Sequence, residues 1–255
     1  MSTLRSTLVP LAAAGVLAAL MSASTPAAST AGPLAPTAGP VAPTAGTPFD
    51  PAQFTHPVQN AYFPLVPGLV TRLHGTEDGE TFRQKVRVTH RTELVAGVRV
   101  TVVRDVVHRL DGTLAEATDD WYAADDAGNV WYFGEDTATY DEHGQLEDRE
   151  GSWRAGRHGA EPGIVMPAVA RPSRATFQEH ARGVAEDQGW IVQHLAQART
   201  PGGRFRDVVR AFEWSRLEPD VVSQKLYAAG IGIIAERDLA GGDEHFWVVA
   251  HTRAS

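Results

Sequence analysis

The chain contains no cysteine, which excludes a disulfide framework, a thiolate metal site and a thiol nucleophile together. Lysine is nearly as scarce: of 23 basic residues two are lysines and the rest arginines. The overall balance is acidic, 31 Asp and Glu against 23 Lys and Arg, for a formal charge of −8 and a pI near 5.7. The basic footprint that nucleic acid requires is missing, so no nucleic-acid partner is expected. Long apolar runs are absent after the first thirty residues, and no transmembrane segment is expected in the mature chain. No 3.6-residue period persists over three helical turns. HExxH, GxSxG, Walker and dinucleotide fingerprints are all missing, and with them the usual signatures of zinc, acyl-transfer and nucleotide chemistry. Neither a metal nor a cofactor is expected.

What is present falls into three parts. Residues 1–30 begin "MSTLRSTLVPLAAAGVLAALMSAS", with a basic start at Arg5, an apolar run of 14 residues from Leu8 to Met21, and small residues beyond. That is the layout of a signal peptide, cleaved within about residues 22–31; the run is shorter than the ~20 residues of a membrane-spanning helix. The mature protein is therefore expected to be secreted or extracytoplasmic. Residues 31–49 repeat "AGPLAPT", "AGPVAPT" and "AGTPFDP", and proline at that density permits only an extended tether. Such a linker could associate with the cell envelope. Residues 50–255 form one β-rich domain whose folded part starts near Phe54.

From Leu69 onward the periodicity is two. In "TFRQKVRVTHRTEL" the set Phe82, Gln84, Val86, Val88, His90, Thr92, Leu94 alternates with Arg83, Lys85, Arg87, Arg91 and Glu93, so one face is wet. A three-residue loop Val95-Ala96-Gly97 would pair Leu94 with Val98, Val86 with Val106, and Phe82 with Leu110. The Asp111-Gly112 turn pairs Val106 with Ala117, Val102 with Trp121, and Arg104 with Asp119. Loops ending in Gly128 and Gly144 then set Trp121 against Phe133, Phe133 against Trp153, Asp119 against Glu135, and Glu135 against Gly151. The fragments Arg174–Ala181, Trp190–Ala198, Arg204–Ser215, Val221–Tyr227, Ile231–Asp238 and His245–His251 read as further strands. Gly156–Pro172 reads as a long crossover of the kind that forms lids, and a helix could be accommodated around Gly183 to Gln193.

This register makes an inner row of His90, Val102, Trp121, Phe133 and Trp153. A second row, Arg104, Asp119 and Glu135, puts charge on the same face, while Tyr122 and Tyr132 pair on the outer face. Charge on an apolar face must be paired or wet. Arg104 could simply clamp two carboxylates. The alternative is a ligand site with aromatic walls, formed by Arg104, Asp119, Glu135, Trp121, Phe133, Trp153 and His90, in which Asp119 and Glu135 are also the candidate catalytic acid and base. "DDAGN" (Asp125 to Asn129) is a hairpin turn rather than a calcium loop, lacking the distal ligands.

The stretches "NAYFPLVPG", "DWYAADDAGNVWYFGED", "EGSWRAGRHGAEPGIVMP", "AED" and "YAAGIGIIAE" together resemble a family of exported bacterial proteins that carries no established activity. "YAAGIGII", Tyr227 to Ile234, is also similar to strands in half-barrels of the lipoprotein-carrier type. That resemblance implies a curved sheet wrapped around an apolar ligand. The expected fold is mainly β: a large curved antiparallel sheet, half-barrel or open barrel, of ten to twelve strands, with a β-sandwich as the alternative. The expected function is a secreted binding protein taking a small or lipid-like ligand on the concave face, more in keeping with these residues than an enzyme. A hydrolase using the paired carboxylates and a structural envelope protein are the competing classes.

Overall fold

The computed structural model describes residues 48–172 and 174–252; the expected signal peptide and all but the last two residues of the linker lie outside them. A 3₁₀ turn, Pro51–Phe54, is followed by sixteen strands: β1 Val70–Glu77, β2 Glu80–Val95, β3 Val98–Arg109, β4 Leu114–Ala124, β5 Val130–Asp136, β6 Thr139–Tyr140, β7 Leu146–Asp148, β8 Trp153–Arg154, β9 Glu161–Met166, β10 Thr176–Phe177, β11 Glu179–His180, β12 Asp187–Thr200, β13 Gly203–Ser215, β14 Val222–Ala228, β15 Gly232–Ala240 and β16 His245–Thr252. Eleven have six or more residues and the others are fragments of two or three. Every pairing is antiparallel. The order is β10-β12-β13-β14-β15-β16-β1-β2-β3-β4-β5-β9-β11, one nearly closed barrel-shaped sheet rather than a sandwich.

Five residues clasp the barrel. Thr176 and Phe177 pair with Gly189 and Gln188 of β12, and Glu179 and His180 pair with Pro162 and Glu161 of β9, so this segment bridges the two sheet edges at one end and leaves most of the β12 edge unpaired. Gly163 is what lets it lie so close, since a Cβ there would collide with the carbonyls of Phe177 and Gln178. The Gly156–Pro172 stretch is therefore no lid: its β9 pairs with β5. Gly183 to Gln193 holds no helix and runs into β12.

The β2–β3 hairpin turns on two residues, not three. Ala96 and Gly97 both adopt positive φ, 47° and 84°, the geometry of a primed turn that matches strand twist. Val95 then faces Val98, and Val86 faces Asp105 instead of Val106. Beyond it, the β3–β4 pairs Val106 with Ala117, Val102 with Trp121 and Arg104 with Asp119 stand as expected. A one-residue change in a hairpin moves every side chain of the strand to the other face. Asp105, Thr118, Asp120 and Tyr122 consequently point inward with Phe82, Gln84, Val86 and Val88, while Arg104, Asp119 and Trp121 point outward.

A strap precedes β1. Phe49 and Phe54 pack on the outer faces of Trp131 and Phe133. The chain then passes over the rim, where Val58 N–H donates to the Asp125 carbonyl (3.0 Å), and crosses the barrel mouth. Asn60 pins the crossing. Its amide donates to the carbonyls of Gly128 (2.9 Å) and Pro167 (3.0 Å), and its oxygen accepts from the N–H groups of Tyr62 and Phe63. Gly230 N–H donates to the Ala61 carbonyl at 2.7 Å on the far side. Gly68 then meets Val88, and β1 begins.

Candidate functional site

Two zones of the barrel interior meet at the mouth. The first is apolar. Val86, Val88 and Val103, with Thr71 and the Ile231–Ile233 turn, surround a pocket of about 70 Å³ roofed by Phe63, Pro64 and Leu69 of the strap. Such a volume admits more than one water-sized group. The second zone is acidic and begins immediately beside it. One same-face row runs Val88, Val103, Asp120, Glu135, Trp153 across β2, β3, β4, β5 and β8. Another runs Thr71, Val86, Asp105, Thr118 across β1 to β4. Directly opposed residues have Cβ atoms ~5 Å apart, so two pocket-lining valines adjoin Asp105 and Asp120.

Glu116, Glu179, Asp187, Glu213 and Glu236 are buried as well, and Lys225 is the single buried cation among the described residues. Partners are rationed. The Tyr132 and Tyr122 hydroxyls donate to Asp120 at 2.8 and 3.4 Å, and their rings stack with centroids 4.6 Å apart. The Gln84 amide donates to Asp105 at 2.6 Å, and Thr118 donates to Glu116 at 2.8 Å. Lys225 Nζ lies 2.6 Å from Glu213 and 3.3 Å from Glu236, while Tyr227 donates to Glu213 at 3.1 Å. Neither carboxyl oxygen of Glu135 has a partner in hydrogen-bond geometry among the described residues.

Desolvation disfavours charge here. Burial pushes Asp105 up to about 7 against the pull of the Gln84 amide, and Asp187 likewise to about 7. Burial and then the neighbouring Asp105 hold Asp120 well above the usual carboxylate range. Burial followed by Asp120 and Glu116 does the same to Glu135, and burial with Asp105 beside it raises Glu116. Burial raises Glu236 to about 8, opposed by Lys225. For Lys225 burial acts against the charge, but Glu213 and Glu236 outweigh it and keep the ammonium well above its ordinary value. Asp105, Glu116, Asp120, Glu135, Asp187 and Glu236 are thus biased toward the neutral form, able to donate or accept hydrogen bonds, or to release protons to water as a cation enters.

The expected cluster of Arg104, Asp119 and Glu135 does not form. Asp119 pairs with Asp136, and Glu135 with Asp120, so Asp119 and Glu135 lie on opposite faces and cannot act as a paired acid and base. Arg104 and Arg91 both bind Asp119 on the outside, at 3.2 and 2.8 Å, an exposed ion cluster of small energetic worth. Trp121 is also outside, with the Arg154 guanidinium 4.4 Å above its ring. Phe133 sits under Phe49 and Phe54, both centroids at 5.6 Å. His90 is exposed in an irregularity between Val88 and Thr92.

Glu135 and Trp153 are inside, but with Tyr122 and Tyr132 rather than opposite them; the Trp153 ring meets Tyr132 edge-on at 5.5 Å. A bulge at Phe133-Gly134, where Gly134 takes φ 120°, turns Glu135 inward and shifts Trp153 from Phe133 onto Glu135. "DDAGN" is a turn as expected: Asp125 accepts from the N–H groups of Ala127 and Asn129, the Asn129 amide and the Trp131 indole.

Asp105, Asp120, Tyr122, Tyr132, Tyr227 and Lys225 were not anticipated as site residues. A primed two-residue turn at Ala96-Gly97 would have turned the first four inward, and the setting of one of only two lysines within the strand "SQKLYA" was a signal for a buried cation. Among the described residues no three His, Asp or Glu groups could together hold a metal ion, and no helix is long and apolar enough to cross a membrane.

No family model and no curated protein matches the chain. Two crystal structures are similar to it over 76% of its length and 100% of theirs. One is a protein of Bacteroides fragilis NCTC 9343, predicted to be exported and having a YmcC-like fold, at 13% identity and a TM-score of 0.46. The other is a predicted lipoprotein of Parabacteroides distasonis ATCC 8503, at 11% identity and a TM-score of 0.42.

Proposed function

We propose that this chain is an exported binding protein whose barrel mouth takes a small or lipid-like amphiphile, its apolar end under the strap and a hydrogen-bond-donating or cationic end against Asp120 and Glu135. One observation carries this reading: Val103 lines the apolar pocket and Asp120 stands directly opposite it on the same face. A ligand entering there meets both chemistries within one residue spacing. Glu135 is fully buried with only the Tyr132 hydroxyl near enough to offer it a hydrogen bond, which leaves acceptor capacity for a donor-rich end. Phe63, which roofs the pocket, packs on the Tyr122 ring at 4.9 Å and joins the two zones. A purely structural barrel would gain more from apolar side chains in these places. The hydrolase reading loses its basis with the separation of Asp119 from Glu135.

The test is a thermal-shift titration with hexylamine, hexanol and hexanoate against the wild type and Val103→Trp, which fills the pocket. Hexylamine should stabilise the wild type most and hexanoate least, with no preference left in Val103→Trp. Equal shifts in both proteins, or a preference for hexanoate, would refute the reading.

A further inference from the structure

The outer face of β1, β2 and β3 is cationic, where the interior is lined by carboxyls. Arg83, Lys85 and Arg87 project from it at alternate positions of β2, about 7 Å apart along the strand. Arg72 stands directly opposite Lys85, and Arg104 directly opposite Arg87. Like charges placed across a ladder destabilise a sheet. Yet Arg72, Arg83, Lys85 and Arg87 are exposed and form no ion pair among the described residues, and only Arg104 has an acidic partner, Asp119. No carboxylate projects outward from β1 between Val70 and Thr76 or from β2 between Arg83 and Arg87. This occurs in a chain of formal charge −8, because many of its carboxyls are buried inside the barrel. The pI therefore describes the interior and misrepresents the surface.

We infer that this face docks on an anionic phospholipid bilayer. Three features select a bilayer over a soluble polyanion. The cations form a two-dimensional array over three strands, where a linear polymer calls for a groove that follows it. The array lies on the convex outside of a barrel, which suits lateral gathering of mobile headgroups beneath it. On the next strand, Trp247 of β16 pairs with His74 and is only partly buried, the kind of side chain that settles at a headgroup interface. Docked in this way the barrel lies on its side, with its mouth free at one end.

The experiment is co-sedimentation of the purified protein with vesicles of neutral phosphatidylcholine alone, or with about a third phosphatidylglycerol, in rising salt. Inorganic polyphosphate serves as the soluble competitor. Binding should require the anionic lipid, fall at least ~10-fold from about 0.1 M to about 0.5 M salt, and fall at least ~10-fold in the triple variant Arg83→Gln, Lys85→Gln, Arg87→Gln. The melting temperature of that variant should be unchanged or higher, since like-charge pairs are removed. Failure of the wild type to bind anionic vesicles, equal binding by the triple variant, or binding to polyphosphate without binding to vesicles would each overturn the inference. The salt series on the wild type stands whether or not the variant folds.

Discussion

Replacing Asp105 by Asn should make the protein more stable at alkaline pH, the reverse of what removing a buried, hydrogen-bonded group ordinarily does. Asp105 is inside the barrel, receives the Gln84 amide at 2.6 Å, and is pushed by burial from 3.8 up to about 7. The native state holds this proton more tightly than the unfolded chain does. Between those two pH values the unfolded chain binds fewer protons, so stability falls as pH rises. The contribution is complete below about pH 4, where both states are protonated, and is lost above about pH 7. At about 1.4 kcal/mol per pH unit the interval amounts to roughly 4 kcal/mol. Asn keeps the volume and the acceptor for Gln84 but cannot ionise. Urea denaturation of wild type and Asp105→Asn at about pH 4 and about pH 8 reads the effect directly. The stability difference should move by about 3–4 kcal/mol in favour of Asn at the higher pH. A difference constant within about 1 kcal/mol would refute the claim that Asp105 is a desolvated carboxyl in the native barrel.

Three further substitutions probe the parts that shape the site. Lys225→Met strands Glu213 without its cation and should cost about 3–5 kcal/mol near neutral pH; adding Glu213→Gln should recover part of it, and a loss below about 1 kcal/mol would contradict a buried Lys225–Glu213 ion pair. Asn60→Ala removes four hydrogen bonds from the strap and should destabilise by about 2–4 kcal/mol while speeding hydrogen exchange at Tyr62 and Phe63; unchanged exchange there would contradict its role as the pin. Gly134→Ala forces a left-handed φ onto a side chain that would collide with the Trp153 carbonyl. It should cost several kcal/mol and quench or shift Trp153 fluorescence, whereas a wild-type melting curve would mean the bulge is not needed to turn Glu135 inward.

The strands were legible because alternation survives in single segments: β12 to β16 each overlap a stretch recognised from period two and turn residues. The class of sheet was legible for the same reason, and the additional strands are short fragments that leave no periodic trace. The site was not legible, and the cause is local. A loop of three residues assigned to Val95-Ala96-Gly97, where Ala96 takes positive φ and two suffice, reversed the faces of β3 and β4 while leaving their mutual pairing intact. Arg104, Asp119 and Trp121 were correctly grouped, on the wrong side. Glu135 and Trp153 were on the right side by way of a bulge at Gly134 that period two does not reveal. Turn chemistry thus decided which charges are buried, and composition could not: a charge of −8 says nothing about whether it lies in the lumen or on the surface.

Native mass spectrometry of the protein purified from its own host, beside Val103→Trp prepared in the same way, tests the proposed binding function most directly. A discrete added mass should accompany the wild type, persist through gentle desalting and be absent from Val103→Trp, and the released molecule should carry an apolar portion and a donor-rich or cationic end. A wild type that flies only at its bare polypeptide mass, or an adduct retained equally by Val103→Trp, would contradict a ligand seated in the barrel mouth.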